Sequence, residues 1–399
     1  MRSFINRHRV RLPMKKILIV APYCSLPSEP YFNRFLYLAQ CLSSTYDVTL
    51  ITSDFRHFDK KHRDTPDRDD CPEFKICLIG EPGYKDNVSL QRVISHKVFV
   101  KNFKNWLKGS FDFDLVYSAY PLIETNIVLA DLKKREEFKL VIDVQDIWPE
   151  SITSAIPLLY YLPIKLLPFT RKANKAYASA DGLVSVSSTY MDRARLVNKS
   201  ALSEVVYIGS DFSLIDSAPI KIKDNTKFTL VYLGTLSYSY DVETIIKAVN
   251  KLVFDGFPIE FHIFGGGPFE EDLKKVAGQG VIFHGFNDIS IVFSFLKTSD
   301  VAVNCLSSTA KQSVTNKLSD FMSIGIPILN SQTNEEVLTL LEGEDHVNYR
   351  AGNVQSAIDK ILFLYKRKGE LKFKPDVRFN RELEYKKIIA LVDSLVECP

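Results

Sequence analysis

The feature that most constrains this chain is a repeated alternation of short apolar runs with longer amphipathic stretches. Runs rich in Ile, Val, Leu and Phe fall at residues 16–21, 47–52, 74–79, 115–118, 139–143, 182–187 and 204–208. Each has the length of a strand buried on both faces. Stretches with apolar residues three and four apart, such as 31–43 and 122–136, separate most of them. Strands that alternate with helices pair in parallel, because each helix carries the chain back along one face of the sheet. A second series of strands follows at 228–233, 260–264, 281–283, 301–304 and 326–329, with helical stretches at 241–254, 269–277, 289–297 and 316–324. The prediction is an α/β chain of two Rossmann-like, doubly wound parallel-sheet domains facing an interdomain cleft. Ligands of such sheets bind beyond the C-terminal ends of the strands. The functional residues are therefore sought in the loops that follow the strands.

Composition narrows the classes. The net charge of +3 gives no field suited to nucleic acid. No stretch approaches the ~20 apolar residues of a membrane span. The apolar run at 17–21, which follows a basic start, is too short for a signal peptide and fits a first buried strand. Residues 1–13 are expected to be a disordered extension, with Met14 as a possible start. Six Cys occur without a C-x-x-C pair or a metal-binding His pattern, which predicts reduced thiols, a cytoplasmic setting and no metal site. The charged loop at 54–72 is expected to be mobile.

The segment Thr315-Asn316-Lys317-Leu318-Ser319-Asp320 opens the helix predicted at 316–324, which stops at Gly325 before Pro327. A helix start offers free backbone N–H groups and partial positive charge, which suit a diphosphate. Ser313, Thr315 and Asn316 can cap it, Lys317 can pair with phosphate, and Asp320 one turn on can accept two ribose hydroxyls. That arrangement points to a nucleotide-diphosphate sugar. A surface helix with a routine cap is the plainer reading. After residue 233 come Gly234, Thr235, Ser239 and Tyr240, where a glycine and hydroxyls could hold phosphate oxygens. Gly266, within Gly265-Gly266-Gly267-Pro268, would let a nucleotide approach the main chain, although a tight turn explains it nearly as well. The run His284-Gly285-Phe286-Asn287, with Phe286 within it, also follows a strand and could face a base through its backbone.

In the first half, Asp143, Gln145, Asp146 and Trp148 crowd the end of one strand. Polar groups there could bind sugar hydroxyls, the Trp face could stack on a ring, and Asp146 could act as a general base or polarise an acceptor. Pro149 and Glu150 also fit a plain helix start. The loop with Tyr23 lacks G-x-G-x-x-G, which argues against a dehydrogenase and leaves an acceptor pocket or a simple βα connection. Lys97, Lys101, Lys104 and Lys108 share one helical face and alternate with Val98, Phe99, Phe103, Trp106 and Leu107. Residues 156–169 form an apolar run flanked by Arg171, Lys172 and Lys175. Both suit the surface of an anionic bilayer, and an ordinary outer helix also accounts for the first. Asp112-Phe113-Asp114 reads as a turn before a strand.

Together these motifs, Asp143 to Ser151, Gly234 to Asp241, Phe264 to Pro268 and Lys317 to Pro327, carry a resemblance. The chain resembles the family-four glycosyltransferases of the two-Rossmann GT-B fold over nearly its whole length. Within them it is similar to bacterial enzymes of O-antigen and capsular polysaccharide biosynthesis, including N-acetylfucosaminyltransferase-like members. The resemblance implies a metal-independent, retaining transferase with no cofactor beyond its nucleotide-sugar co-substrate, UDP-sugars being favoured. It implies a lipid-linked saccharide acceptor and peripheral docking on the cytoplasmic membrane. The family pairs two Glu residues eight positions apart; here Gln312 stands at the donor-sugar position and Asp320 at the ribose position. An Arg and a Lys usually follow the glycine matched by Gly234, and this chain has neither. Asp146, Gln312 and Lys317 are thus the expected catalytic residues. The expected domains are 14–210 for the acceptor and 211–380 for the nucleotide sugar, with 381–399 a helix packing back on the first. Two rivals remain open: a nucleotide-sugar 2-epimerase, and a non-catalytic partner subunit.

Overall fold

The computed structural model describes residues 14–397 apart from 30–31, 64–72, 87–88, 110, 152–161, 221–225, 309, 311 and 344. The first sheet contains β1 (Lys16–Val20), β2 (Asp47–Ser53), β5 (Lys75–Ile79), β6 (Leu115–Tyr120), β7 (Lys139–Val144), β8 (Gly182–Ser185) and β9 (Leu202–Val205). A hairpin of β3 (Phe55–Arg56) and β4 (Lys61–His62) lies between β2 and β5. The second sheet contains β10 (Phe228–Leu233), β11 (Ile259–Phe264), β12 (Val281–Gly285), β13 (Val301–Asn304), β14 (Ile328–Asn330) and β15 (Val347–Asn348). Their orders are β5-β2-β1-β6-β7-β8-β9 and β12-β11-β10-β13-β14-β15, and all pairs within each sheet are parallel. These are doubly wound sheets, as the alternation predicts. The order reverses at β1/β6 and at β10/β13, the two places where strand ends splay to receive a ligand.

Strand periodicity explains why both faces are apolar. Side chains alternate sides along a strand. In β1, Leu18 and Val20 join Phe99, Phe103 and Tyr177 on one face, while Ile17 and Ile19 join Leu38 and Val141 on the other. The second face also receives Tyr385, Ile388, Leu391 and Leu395 from the C-terminal helix Arg381–Glu397. That helix therefore completes the core of the first domain after the chain has built the second.

The chain crosses between domains twice, and the crossings are tied together. Ser210 N–H donates to the Phe379 carbonyl at 2.8 Å, and Arg381 N–H donates to the Ser210 carbonyl at 3.1 Å. The Arg381 guanidinium donates to the Gly209 carbonyl at 3.0 Å and stacks 3.6 Å from the Phe32 ring centre.

Two expectations need revision. Part of the loop read as mobile is the β3–β4 hairpin, held by Phe55 against His62 and Tyr84; residues 64–72 lie outside the described segments. Lys97, Lys101, Lys104 and Lys108 do share an exposed face, but Phe99 and Phe103 are fully buried beneath the sheet, so their bulk belongs to the core. Of the apolar run 156–169, residues 156–161 lie outside the described segments; Leu162, Ile164, Leu166 and Phe169 are exposed. Asp112 and Asp114 pair with Lys16 and Lys15 at the N-terminal end of the first sheet, opposite the cleft, which fits the turn reading.

Candidate active site at the mouth of the second sheet

The helix Asn316–Ile324 begins beyond β13, at the point where the second sheet reverses. Thr315 caps it by accepting from Leu318 N–H, and Gly325 ends it with φ 74°. The backbone N–H groups of Asn316 and Lys317 precede the first helical bonds and have no partner within the helix. Lys317 itself is buried, 5% exposed. Its Nζ donates to the Tyr232 hydroxyl at 3.2 Å and lies 3.5 Å from the Tyr240 ring centre. Among the described residues no carboxylate pairs with it. Burial pulls its pKa down to about 7, against a small opposing effect of Cys305. A buried ammonium with only aromatic faces and one hydroxyl around it lacks the charge that would offset its desolvation. An incoming anion would supply that charge.

Gly234 forms the lid over this ammonium: a side-chain carbon there would sit 3.3 Å from Nζ. The neighbouring loops stack just as closely. Gly234 N–H donates to the Phe264 carbonyl, Leu236 N–H to Gly266 and Gly265 N–H to Gly285, at 2.9, 3.0 and 2.8 Å. A Cβ on Gly265, whose φ is 112°, would lie 2.1 Å from the Gly234 carbonyl oxygen, so only glycine allows this stack. The glycine run therefore has a structural reason of its own. Its packing also brings Gly266 against the ring of Phe286, which is 77% exposed at the rim. Thr235 is exposed, its carbonyl accepting from Tyr232 at 2.7 Å, and Ser239 takes Ser307 N–H on its carbonyl at 3.0 Å.

Asp320 lies one turn beyond Lys317 and accepts a short hydrogen bond from Ser210 at the domain crossing. Burial raises its pKa to about 6, opposed by Ser210 and Arg381. Gln312 is half-buried, and its side-chain oxygen is buried without a partner among the described residues. Its main-chain carbonyl and that of Ser313 are held by the Gln332 amide at 2.6 and 2.9 Å.

Ser313 departs from expectation. It is buried, its N–H donates to the Tyr190 hydroxyl at 3.2 Å, and its hydroxyl donates to Glu336 at 3.0 Å. Its groups serve the contact between domains rather than an open donor site. Glu336 is the residue that sequence reasoning missed. Its carboxylate accepts from Ser188 N–H (2.8 Å), Thr189 N–H (3.1 Å), the Thr189 hydroxyl (3.0 Å), the Tyr207 hydroxyl (3.0 Å) and Ser313. Burial alone would raise its pKa, but these donors outweigh it and hold the carboxyl below its ordinary range. A carboxylate just past β14 and at the start of a helix was the available signal.

On the first domain, Asp143 also departs from expectation. It has no exposed surface. Arg34 and Tyr117 occupy one oxygen at 2.7 and 2.6 Å, and Gln145 occupies the other at 2.6 Å. A carboxylate so engaged ties β7 to the helix Arg34–Ser43 and cannot reach an acceptor. Gln145, Asp146 and Trp148 remain half-buried at the strand end. Asp146 accepts from Ser151 at 3.2 Å, and burial raises its pKa. Its charge also reaches Tyr190, whose hydroxyl burial already keeps protonated. Asp146 thus lies on the side of the first domain that meets the 312–313 loop. Tyr23 sits farther along the rim, its hydroxyl 2.7 Å from His96 Nε2.

Residues 227–367 match the family model described as glycosyl transferases group 1. No curated protein matches the chain by sequence. Solved structures do match in fold. A sucrose-phosphate synthase from Thermosynechococcus elongatus superposes with a TM-score of 0.73 at 14% identity, covering 96% of this chain and 100% of that one. A lipopolysaccharide outer core galactosyltransferase, WaaB, superposes at 0.59 with 17% identity, covering 96% and 99%. An E. coli trehalose-6-phosphate structure bound with UDP-2-fluoro glucose gives 0.61 at 11%, covering 96% and 98%.

Proposed function

We propose that this GT-B-fold glycosyltransferase, with its group 1 domain at residues 227–367, moves a sugar from a nucleotide-diphosphate donor to a lipid-linked saccharide of surface polysaccharide biosynthesis. The observation that carries the donor half is Lys317: a buried ammonium without a counter-charge, beneath Gly234 and beside open helix N–H groups. A diphosphate bound there would meet the ammonium, the Asn316 and Lys317 N–H groups and the 234–235 backbone. Negative charge grows on the leaving diphosphate as the glycosidic bond stretches, and a diphosphate held by this cluster would have that charge met by the ammonium and the N–H groups. Asp320 would exchange Ser210 for ribose hydroxyls. The free Gln312 oxygen would accept from a hydroxyl of the donor sugar, although an amide brings no negative charge to the sugar's developing cation. Phe286 offers a face for the base. A UDP donor is favoured by analogy with the UDP-2-fluoro glucose of the E. coli neighbour.

Asp146 would lie on the acceptor side, poised to polarise the incoming hydroxyl. Retention of anomeric configuration and independence of metal belong to the same proposal, as does docking on the cytoplasmic face of the membrane. The basis for docking is the line of exposed lysines at 97, 101, 104 and 108 and the exposed apolar groups at 162–169. No helix among the described residues is long and apolar enough to cross a membrane.

The test is a thermal-shift panel of UDP, GDP, CMP, dTDP and their sugar conjugates on wild type and Asp320→Ala. Occupancy at one hundred times Kd stabilises a protein by about 2.7 kcal/mol, which such a scan resolves. Stabilisation by one nucleotide, weakened in the variant, is the expected result. No shift with any nucleotide would overturn the donor reading and favour a non-catalytic partner subunit.

A further inference from the structure

On the first domain, beyond the ends of β2 and β5, a cavity of about 400 Å³ opens at the rim. Its walls include Phe55, Lys60, His62, Tyr84, Lys85 and Ile94, and no carboxylate lines it among the described residues. Lys60 closes the turn between β3 and β4 with a left-handed backbone, φ 61°, and its N–H donates to the Arg56 carbonyl at 3.0 Å. Its Nζ donates to the His57 carbonyl and lies 5.0 Å from the Tyr84 ring centre, while the Arg92 guanidinium lies 5.5 Å from the same ring. Two cations thus share one aromatic wall. Lys85 is exposed and makes no ion pair among the described residues.

Two neighbouring features define what fits. The helix Leu90–Trp106 begins at the cavity, and its outer face starts with exposed Leu90, Val93 and Ile94 before turning to the lysines at 97, 101 and 104. Ile94 belongs to both the apolar tip and the cavity wall. On the other side, Phe55 also lines a second, separate cavity of about 110 Å³, whose walls include Tyr23, Ser25, Glu29 and His57. A cationic aromatic pocket therefore has an apolar ledge on one side.

We infer that this cavity holds the phosphate or diphosphate head of an amphiphile whose apolar chain lies along Leu90, Val93 and Ile94. The amphiphile is the carrier-lipid end of the acceptor, so the inference rests on the lipid-linked acceptor proposed above. A bulk bilayer headgroup would need the basic face alone. It would have no use for a concave pocket at the head of an apolar ledge.

The test is titration calorimetry with farnesyl diphosphate, in saturating UDP so that the diphosphate cannot occupy the donor site, with a UDP thermal shift measured alongside. Inorganic pyrophosphate and phosphatidylglycerol vesicles are the comparison arms. Farnesyl diphosphate should bind at least tenfold more tightly than pyrophosphate. Lys85→Glu and the pair Leu90→Asp with Ile94→Asp should each weaken it at least tenfold while the UDP shift stays unchanged. Equal affinity for pyrophosphate, or variants that bind farnesyl diphosphate like wild type, would overturn the inference. Vesicle binding without farnesyl diphosphate binding would make this a general bilayer surface and also overturn it. A UDP shift with no farnesyl diphosphate binding would sink this site alone; absence of the UDP shift would sink the donor reading instead.

Discussion

Replacing Lys317 by Met should stabilise the protein while removing its affinity for nucleotide diphosphates. The lysine pKa falls from 10.5 to about 7 on folding, mainly through burial. Between those values the unfolded chain binds the proton and the folded chain does not, so stability rises with pH across that window. Below about pH 7 the full penalty is present. At ~1.4 kcal/mol per pH unit the penalty approaches about 5 kcal/mol. Methionine has a similar reach and an apolar, adaptable body suited to the Tyr232 and Tyr240 rings. It forfeits the ammonium–ring attraction, worth about 0.5–2 kcal/mol. Tyr232 keeps its hydroxyl bond to the Thr235 carbonyl, so no donor is orphaned. A net gain of about 3 kcal/mol follows, or a Tm rise on the order of 6–12 °C at pH 6.5, taking ~2–4 °C per kcal/mol. The gain should shrink steadily toward pH 10. Thermal scans of both proteins from pH 6 to 10, with and without a UDP-sugar, measure it. A destabilised variant, or a Tm difference that does not vary with pH, would refute the picture of an uncompensated buried ammonium.

Three further outcomes follow from the same geometry. Binding a UDP-sugar should raise the Lys317 pKa, so affinity should be greatest below about pH 7 and fall by up to about tenfold per pH unit above it; calorimetry in two buffers at pH 8 should show uptake of close to one proton. Glu336→Ala should lower kcat/KM for the acceptor by about 10–100-fold with little change in donor Kd, because it releases donors on both domains without touching the donor cluster; X-ray scattering should show a more open pair of domains, and an unchanged profile with unchanged kinetics would count against a role for Glu336 in holding the domains together. Gln312→Ala should reduce kcat/KM by roughly tenfold, the scale of one hydrogen bond to the donor sugar at ~1.4 kcal/mol, whereas unchanged kinetics would remove Gln312 from the site.

Much of the architecture is legible because it depends on local pattern. Strands β10 and β13 and the helix Asn316–Ile324 fall where the apolar spacing puts them, since a strand buried on both faces and an amphipathic helix each leave a periodic signature. The hairpin of β3 and β4 leaves none: it is two residues per strand, and its order comes from Phe55 packing on His62 and Tyr84 rather than from its own sequence. Lys317 and Asp320 are recognisable because a helix start and its first turn are contiguous in sequence.

The sequence by itself determined two parallel sheets, the loops in which chemistry can reside, and the helix start that is proposed as an anion site. Only the tertiary structure decided which polar groups are free to act. Asp143 and Asp146 stand three positions apart on one strand end, yet one is fully consumed by Arg34, Tyr117 and Gln145 while the other stays half-buried toward the facing domain. Ser313 is spent on a glutamate more than twenty residues away, and that glutamate is bound to a helix of the opposite domain. A hydrogen bond needs its partner within about 3 Å, and such distances between remote residues are set by how the two sheets and their crossings pack, which no local pattern records.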